Sequence, residues 1–250
     1  MENSKISENV ILFEYDERSL NYMFEPRSGE LKSVKVLSIE YDKDNFLQYN
    51  LIGPTPEIGS VYYKHPYRKS TYVNSNLTDF YFMNEKLELI AHLVKLLGAK
   101  SFEGSVDIEE IEKVEISADG KVNFKVVSVN SSFKKEETSK LSSKLKLKRY
   151  FEEDHNFNRI ENYKEAQRHI KENNLSAESS IIGLIESRNP QVGNHNKRQE
   201  LTTELSSEFN SILNFSVGLK VMESVFNLNF DYNKQFESIK KVNLSMIVTF

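Results

Sequence analysis

The chain has 250 residues, of which 38% are hydrophobic, so it is long enough to bury a substantial core in one large domain or two closely packed halves. Its formal charge of -4 argues against a general nucleic-acid binder, because affinity for phosphates depends on many Lys and Arg contacts. The absence of cysteine excludes disulfides, thiolate metal sites and thiol nucleophiles.

No segment has the pattern of a targeting or membrane-spanning sequence. The opening residues, MENSKISENV, lack the apolar run of a secretory signal, and no apolar stretch approaches the roughly 18 residues of a spanning helix. We therefore expect a cytoplasmic protein. The lack of repeats and long linkers predicts a single domain over residues 1–250. One alternative divides it into a tyrosine-rich β region, 1–82, and a helix and hairpin region, 83–250.

Short apolar and alternating runs at 10–15, 20–24, 31–39 and 46–52 predict β-strands in the first part of the chain. Nine of the twelve tyrosines lie there, which is typical of half-buried sheet faces. The segment VYYKHPYRKSTY, 61–72, interleaves aromatic and cationic residues, so the alternative is a surface for an anionic ligand or a single-stranded nucleic acid. Its candidate binding residues are Tyr62, Tyr63, Lys64, Tyr67 and Arg68.

An almost wholly apolar segment, LELIAHLVKLL, predicts a helix that is buried in the core over about 85–97. Asn84 is expected to be its N-cap, and Gly98 is expected to end it in a left-handed conformation. His92, in the middle of the segment, is interpreted as a hydrogen-bonded core residue rather than a ligand.

Two alternating runs on either side of the turn sequence SADGK predict a β-hairpin. A two-residue loop would turn Val114 and Phe124 to opposite faces, whereas a three-residue loop that pairs Ser117 with Lys121 puts both on one face. Because a slip of one residue turns every side chain over, the apolar pattern selects the three-residue loop. The numbers of opposing residues then sum to 238.

Residues 131–150 form a basic island in an acidic chain, with seven Lys or Arg against two Glu. In LSSKLKLKRYF, at the end of this island, Leu145, Leu147 and Phe151 share one parity and lysines occupy the other, which predicts a strand with an apolar and a cationic side. Either this strand starts anew near residue 140, or the preceding hairpin protrudes from the body of the protein. The candidate binding residues are Lys140, Lys144, Lys146, Lys148 and Arg149.

Three interpretations of this cationic strand remain open. It can be an exposed edge whose lysines block pairing with other edges. It can belong to an amphipathic hairpin, 128–147, that inserts into a membrane as part of a pore. It can line a groove for phosphate or nucleic acid, if its cations lie beside the tyrosine-rich segment.

The last hundred residues predict helices followed by strands. Helices are expected at 157–174 and 199–213, a short buried segment at 179–190, and two strands at 226–232 and 242–250 with a connection near 233–235. The inward residues of the first helix are expected to be Ile160, Tyr163, Ala166, Gln167 and Ile170.

The element order predicts an α+β fold: a mostly antiparallel twisted sheet with long hairpins, one buried central helix and peripheral amphipathic helices. Motifs of nucleotide-binding loops, nucleophile elbows and zinc-protease helices do not occur, so no catalytic residue, metal site or cofactor is predicted. FEEDHNFN, 151–158, is interpreted as a solvated connector rather than a divalent-metal site. An enzyme would gain support if the structure placed His155, His169 (which follows Glu165 at helical spacing) or His195 with carboxylates in one deep pocket.

These patterns together predict a non-enzymatic interaction or assembly protein that engages an acidic partner or itself through an exposed sheet edge and the cationic strand. The first alternative is a membrane-active or pore-forming protein whose amphipathic hairpin inserts into or docks on anionic lipid. The second alternative is a hydrolase-type enzyme with a His/carboxylate site. A protein partner or self-association is expected, an anionic membrane is the alternative partner, and nucleic acid is not expected.

Overall fold

The structure, a computed structural model, describes residues 10–14, 34–39, 48–58, 60–75, 77–116, 122–128, 145–153, 155–193, 195–204 and 235–250. Over these ranges the fold is α+β, as predicted, with three α-helices and two sheets whose strand pairs, taken together, are mostly antiparallel.

Sheet A is built by the first part of the chain and has the strand order β2-β1-β4-β5-β3. The pairs β1/β2 and β3/β5 are parallel, and the other two pairs are antiparallel. Three of the predicted strands overlap observed ones, and the fourth, at 20–24, lies outside the described residues. The strands are β1 Val10–Glu14, β2 Val34–Ser38, β3 Asn50–Ile52, β4 Val61–Lys64 and β5 Thr71–Asn74.

Sheet B is antiparallel throughout its described pairs. The long strand β6 has β10 on one side, and β9 pairs with β10. On its other side β6 pairs first with β8, along 101–105, and then with β7, along 110–116. The strands are β6 Ser101–Ile116, β7 Val122–Ser128, β8 Lys146–Tyr150, β9 Arg198–Glu204 and β10 Gln235–Thr249.

The register between β6 and β7 confirms the register that the three-residue loop requires. Val114 lies opposite Phe124 and Ile116 lies opposite Val122, and the numbers of each pair sum to 238. The turn itself, 117–121, lies outside the described residues. The cationic segment is a strand, β8, that pairs with the base of β6, as expected if a new strand starts after the hairpin. Residues 129–144, in which that strand was predicted to start, lie outside the described residues.

Helix α1, Thr78–Leu96, is the predicted central helix, but it begins at Thr78 and not near residue 85. Asn84 is therefore not its N-cap; it is an exposed residue inside the helix, because the preceding Phe82 and Met83 are fully buried and continue the apolar face. The predicted end is confirmed. Gly98 has φ +83° and donates its N–H to the Lys95 carbonyl at 2.9 Å.

One buried cluster joins α1 to both sheets. Leu87 and Ile90 of the helix belong to the same cluster as Tyr63 and Val73 of sheet A. Sheet B contributes Phe102, Val106, Val242, Leu244, Met246 and Val248. The even-numbered residues of β10 from 242 to 248 are thus buried, as the alternation predicted.

Two shorter helices, α2 Arg159–Glu172 and α3 Ser179–Glu186, pack against this core through Ala166, Ile170, Ile181, Leu184 and Ile185. Both confirm predicted segments, although two inward assignments are wrong. Ile160 is 58% exposed and Gln167 is exposed, because the contact face of α2 follows the line through Ala166 and Ile170.

The predicted helix at 199–213 is wrong over its described residues, since Arg198–Glu204 is strand β9. Thr203 is buried while Thr202 and Glu204 are exposed, which is a period of two. Residues 205–213 and the strand predicted at 226–232 lie outside the described part of the chain. Strand β10 begins at Gln235, inside the predicted connection, and its pairing with β6 shifts register between Ile239 and Val242.

A Gly104→Ala substitution should destabilise the fold because Gly104 sits where α1 meets β6. A Cβ there would lie 2.7 Å from Leu87 Cδ2 and 2.8 Å from Phe102 Cζ. We expect the free energy of unfolding to fall by about 1–3 kcal/mol, the usual cost of overpacking, in urea denaturation. The control, Ser105→Ala on the opposite face of the same strand, should change it by less than about 0.5 kcal/mol. Equal effects of the two changes would contradict this close packing.

Candidate interaction site

Strand β8 is an open edge of sheet B and contains the described part of the predicted cationic site. It pairs antiparallel with β6, from Lys146 opposite Ser105 to Tyr150 opposite Ser101. Within the described ranges, no strand pairs with its other side. Lys140 and Lys144 lie outside these ranges.

Hydrogen bonds at the two ends of β8 determine which backbone groups face the open side. The Val106 N–H donates to the Leu145 carbonyl at 3.2 Å, and the Phe151 N–H donates to the Lys100 carbonyl at 2.9 Å. Opposed residues in an antiparallel ladder alternate between bonded and non-bonded pairs, so the odd-numbered residues of this segment bond to β6. The N–H and C=O groups of the even-numbered residues, Lys146, Lys148 and Tyr150, therefore point away from β6.

The side chains of this segment confirm the predicted parity. Leu145 is buried, and Leu147 and Phe151 are partly buried against the core. Lys146 and Lys148 are exposed, and Tyr150 is 73% exposed. The strand thus has one face toward the core, with apolar side chains, and an opposite face toward solvent, with two lysines and an aromatic ring.

Two of the three described cations are already paired with carboxylates of the same chain. Lys148 bonds to Glu103 on β6 and lies near the Tyr150 ring, and these contacts, with Glu103 the larger, raise the pKa of Lys148. Arg149 reaches Glu88 on α1 at 2.7 Å. Lys146 has no ion pair with any described residue. The edge therefore carries mixed charge and is less basic than its sequence indicates.

The tyrosine-rich segment lies mainly in the core. Tyr62, Tyr63 and Tyr67 are at most 5% exposed, so their rings pack within sheet A rather than form an exposed aromatic surface. Lys64 is partly buried and is not a free cation, because it has a polar, ring or electrostatic contact within the protein. Arg68 is exposed and donates its Nε–H to Glu85 of α1 at 2.8 Å.

Helix α1 brings one residue of each predicted cationic group together. Glu85 holds Arg68 and Glu88 holds Arg149, and residues three apart on a helix are neighbours on its surface. The two arginines therefore approach the same face of α1, one turn apart, each with a carboxylate partner.

A cavity of about 440 Å³ opens at the C-terminal end of α1, where β8 ends. A second, of about 580 Å³, adjoins it and is lined by Tyr150 as well. The predicted connector supplies much of the lining, and within the described residues no three His, Asp or Glu side chains are grouped as metal ligands. The smaller cavity is lined chiefly by Lys95, Leu96, Ala99, Lys100, Phe151, Glu152, Glu153, His155, Phe157 and Asn162.

The histidines proposed for an enzyme contact different elements. His155 lines the cavity, the His169 ring nitrogen Nε2 lies 2.9 Å from the Leu89 carbonyl, and His195 Nδ1 lies 2.8 Å from the Ser187 carbonyl. Glu165 pairs with Arg168, which lies on the same helix. Of the three, His155 shares a cavity with carboxylates, those of Glu152 and Glu153, whereas His169 and His195 contact backbone carbonyls elsewhere. The hydrolase alternative stays a prediction.

His92 is exposed on α1, so its interpretation as a core residue is wrong. Its ring centroid lies 4.9 Å from that of His169 on α2. Partial burial, then repulsion from His169, lowers the pKa of His92. The helix is apolar around most of its circumference, and His92 occupies a position that α2 covers only in part.

A buried ionic network was not predicted from the sequence. Lys86 of α1 is fully buried and donates to Glu178 Oε1 at 2.6 Å, and Thr203 of β9 donates to Glu178 Oε2 at 2.9 Å. The network joins α1, the start of α3 and β9. The signal available in the sequence is one lysine inside an otherwise apolar helix, but its partner is 92 positions away.

A buried histidine in sheet A was also not predicted. His65 is 2% exposed, and its ring centroid lies 5.1 Å from Phe82, 5.7 Å from Tyr81 and 5.8 Å from Tyr67. Its Nδ1 accepts the Tyr67 N–H at 3.1 Å, while Nε2 has no partner among the described residues. Burial, and secondarily Arg68, lowers the pKa of His65 to about 4.

No protein-family model, curated protein or solved structure matches the chain. Among the described helices, none combines the length and the apolar character needed to cross a bilayer. The functional proposal therefore rests on the geometry of β8 and the adjoining cavity.

Removal of Glu178 should be strongly destabilising, because Lys86 would keep a buried ammonium without this carboxylate. We expect Glu178→Ala to lower the free energy of unfolding by about 3–5 kcal/mol in urea titrations. The double variant Lys86→Met with Glu178→Leu should cost less than this single change, since no buried charge remains. Glu186→Ala, an exposed carboxylate on the same helix, is the control. A double variant that is less stable than Glu178→Ala would contradict a desolvation penalty at this site.

Acid should weaken the fold through His65. Its pKa is about 4 in the folded protein and 6.5 ordinarily, so protonation favours the unfolded chain. This contribution to stability is complete above about pH 6.5 and is lost as the pH falls toward 4, amounting to about 3 kcal/mol. His65→Phe should remove this part of the pH dependence in melting experiments between neutral and acid pH, whereas His155→Gln should retain it. Parallel curves for wild type and His65→Phe would exclude the effect.

Proposed function

We propose that the protein is a non-enzymatic binding module that takes an acidic, extended segment of a partner protein as an additional strand along β8. The supporting observation is the outward direction of the backbone groups of Lys146, Lys148 and Tyr150, inferred from the hydrogen bonds at the two ends of β8. In strand addition, main-chain hydrogen bonds supply affinity, and side chains at alternate positions supply selectivity.

Charge favours an acidic partner over a second copy of the chain. Pairing of β8 with β8 of another molecule would bring Lys146, Lys148 and Arg149 of both copies side by side. Like charges on paired strands are destabilising, and lysines on open edges commonly prevent such pairing. A strand with carboxylates at alternate positions reverses the sign of this interaction, so the same lysines would attract it.

The existing ion pairs leave the lysines available to such a segment. The side chains of Lys148 and Glu103 are 53% and 46% exposed, and an ion pair this exposed to water contributes little to stability. Lys148 can therefore contact a second carboxylate at small cost, and Lys146 needs no rearrangement. Binding should weaken at high salt, because these charges face solvent.

The decisive experiment exploits the outward direction of the Lys148 N–H. Proline is tolerated on an edge strand where its missing N–H faces solvent, so Lys148→Pro removes a bond to the added strand but none to β6. A fluorescein-labelled peptide of alternating glutamate and threonine should bind wild type, and Lys148→Pro should weaken it by about tenfold or more in fluorescence anisotropy. Lys148→Ala, which removes only the charge, should weaken it less.

Circular dichroism of both variants verifies that the fold is kept. Equal binding by Lys148→Pro and Lys148→Ala would contradict strand addition. Salt-sensitive oligomers in light scattering without peptide binding would indicate self-association, and dye release from anionic liposomes would support the membrane alternative. The membrane alternative stays a prediction, because most of the hairpin on which it depends, 128–147, lies outside the described residues.

A further inference from the structure

We infer that the cavity beside the end of β8 receives a bulky apolar side chain of the same bound segment, so that the partner combines an acidic strand with an apolar anchor. This inference rests on the proposed function, because Tyr150, the last residue of β8, lines the larger of the two adjoining cavities. It goes further by naming a second recognition element with a different chemistry.

Tyr150 connects the open edge to the cavity. It is the last residue of β8, its backbone groups point away from β6, and its side chain lines the larger cavity of about 580 Å³. That cavity shares Lys95, Phe151 and the following residues with the cavity of about 440 Å³. A strand that pairs along Lys146–Tyr150 would therefore leave the edge beside a residue that lines this space.

The cavity has an apolar wall that is held in place by α1. Leu96 and Ala99 come from the end of the helix, and Phe151 and Phe157 come from the connector. The Phe157 ring lies directly on Gly98, where an added Cβ would be 2.7 Å from its Cζ. The volume falls within the roughly 300–1,000 Å³ typical of pockets that enclose small ligands, so one large side chain can be accommodated.

The described residues around the cavity carry charges of both signs, which favours an uncharged anchor. Lys95 and Lys100 line it together with Glu152 and Glu153, and Lys100 lies 3.8 Å from Glu153. A charged anchor would meet one opposite and one like charge, whereas an aromatic or large aliphatic side chain gains from the Phe151 and Phe157 rings. Burial of a side chain of that size corresponds to about tenfold or more in affinity.

The direction of the added strand determines which end of the segment carries the anchor. A parallel strand would place its C-terminal end near Tyr150, and an antiparallel strand would place its N-terminal end there. Peptides with the anchor at either end therefore test both arrangements, and a preference for one of them reports the strand direction.

The test uses amidated, fluorescein-labelled peptides in which glutamate alternates with threonine and a glycine joins this strand to a terminal phenylalanine or alanine. On wild type, one phenylalanine peptide should bind about tenfold more tightly than its alanine counterpart. Asn162→Trp, which fills the cavity from α2, should abolish this preference and leave binding of the alanine peptide unchanged. Asn162→Ala is the matched control and should keep the preference.

The outcomes separate this inference from the proposed function. If both kinds of peptide bind wild type equally, the anchor is overturned while strand addition stands. If Asn162→Trp weakens both peptides to the same extent, the anchor is also overturned. If no peptide binds wild type, the proposed function itself fails, because there is then no binding for Lys148→Pro to weaken.

Discussion

Burial of α1 in a core shared by both sheets is the constraint on which the other features depend. The helix is apolar around most of its circumference, and residues of both sheets, of α2 and of α3 belong to the same buried cluster. Gly104 lets β6 approach the helix closely, and the Gly98 turn directs the chain straight into that strand. Three charged residues of α1 pair with residues of other elements.

These three residues of α1 differ in their access to solvent. Lys86 has no path to solvent and is compensated inside the protein by Glu178, which ties α3 and β9 to the helix. Glu85 and Glu88 reach the surface, where they hold Arg68 and Arg149. Such surface pairs add little free energy each. The edge strand β8 is positioned by its ladder with β6 and is additionally linked, through Arg149, to the helix that organises the core.

Features that depend on local periodicity could be predicted from the sequence. The β6/β7 register, the apolar side of β8 and the helix end at Gly98 follow from alternation and turn chemistry. Strand β9 could not, because the spacing from Leu201 to Leu205 resembles a helix and only pairing with β10 decides otherwise. The burial of Lys86 and His65, and the carboxylates that pair with the β8 cations, depend on residues far away in the sequence.

The described strands of sheet B are not the same at its two ends. Near residues 101–105 of β6 four described strands lie side by side, β8, β6, β10 and β9, whereas near 110–116 the described ones are β7, β6 and β10. The register shift at Ile239–Val242 lies between these parts, and irregularities of this kind bend a strand and increase its twist. Among the described strands, β6 and β10 are the two that run through both parts, so a force along the axis of β6 at residues 110–116 would reach residues 101–105 as shear along the ladder of hydrogen bonds that these two strands share.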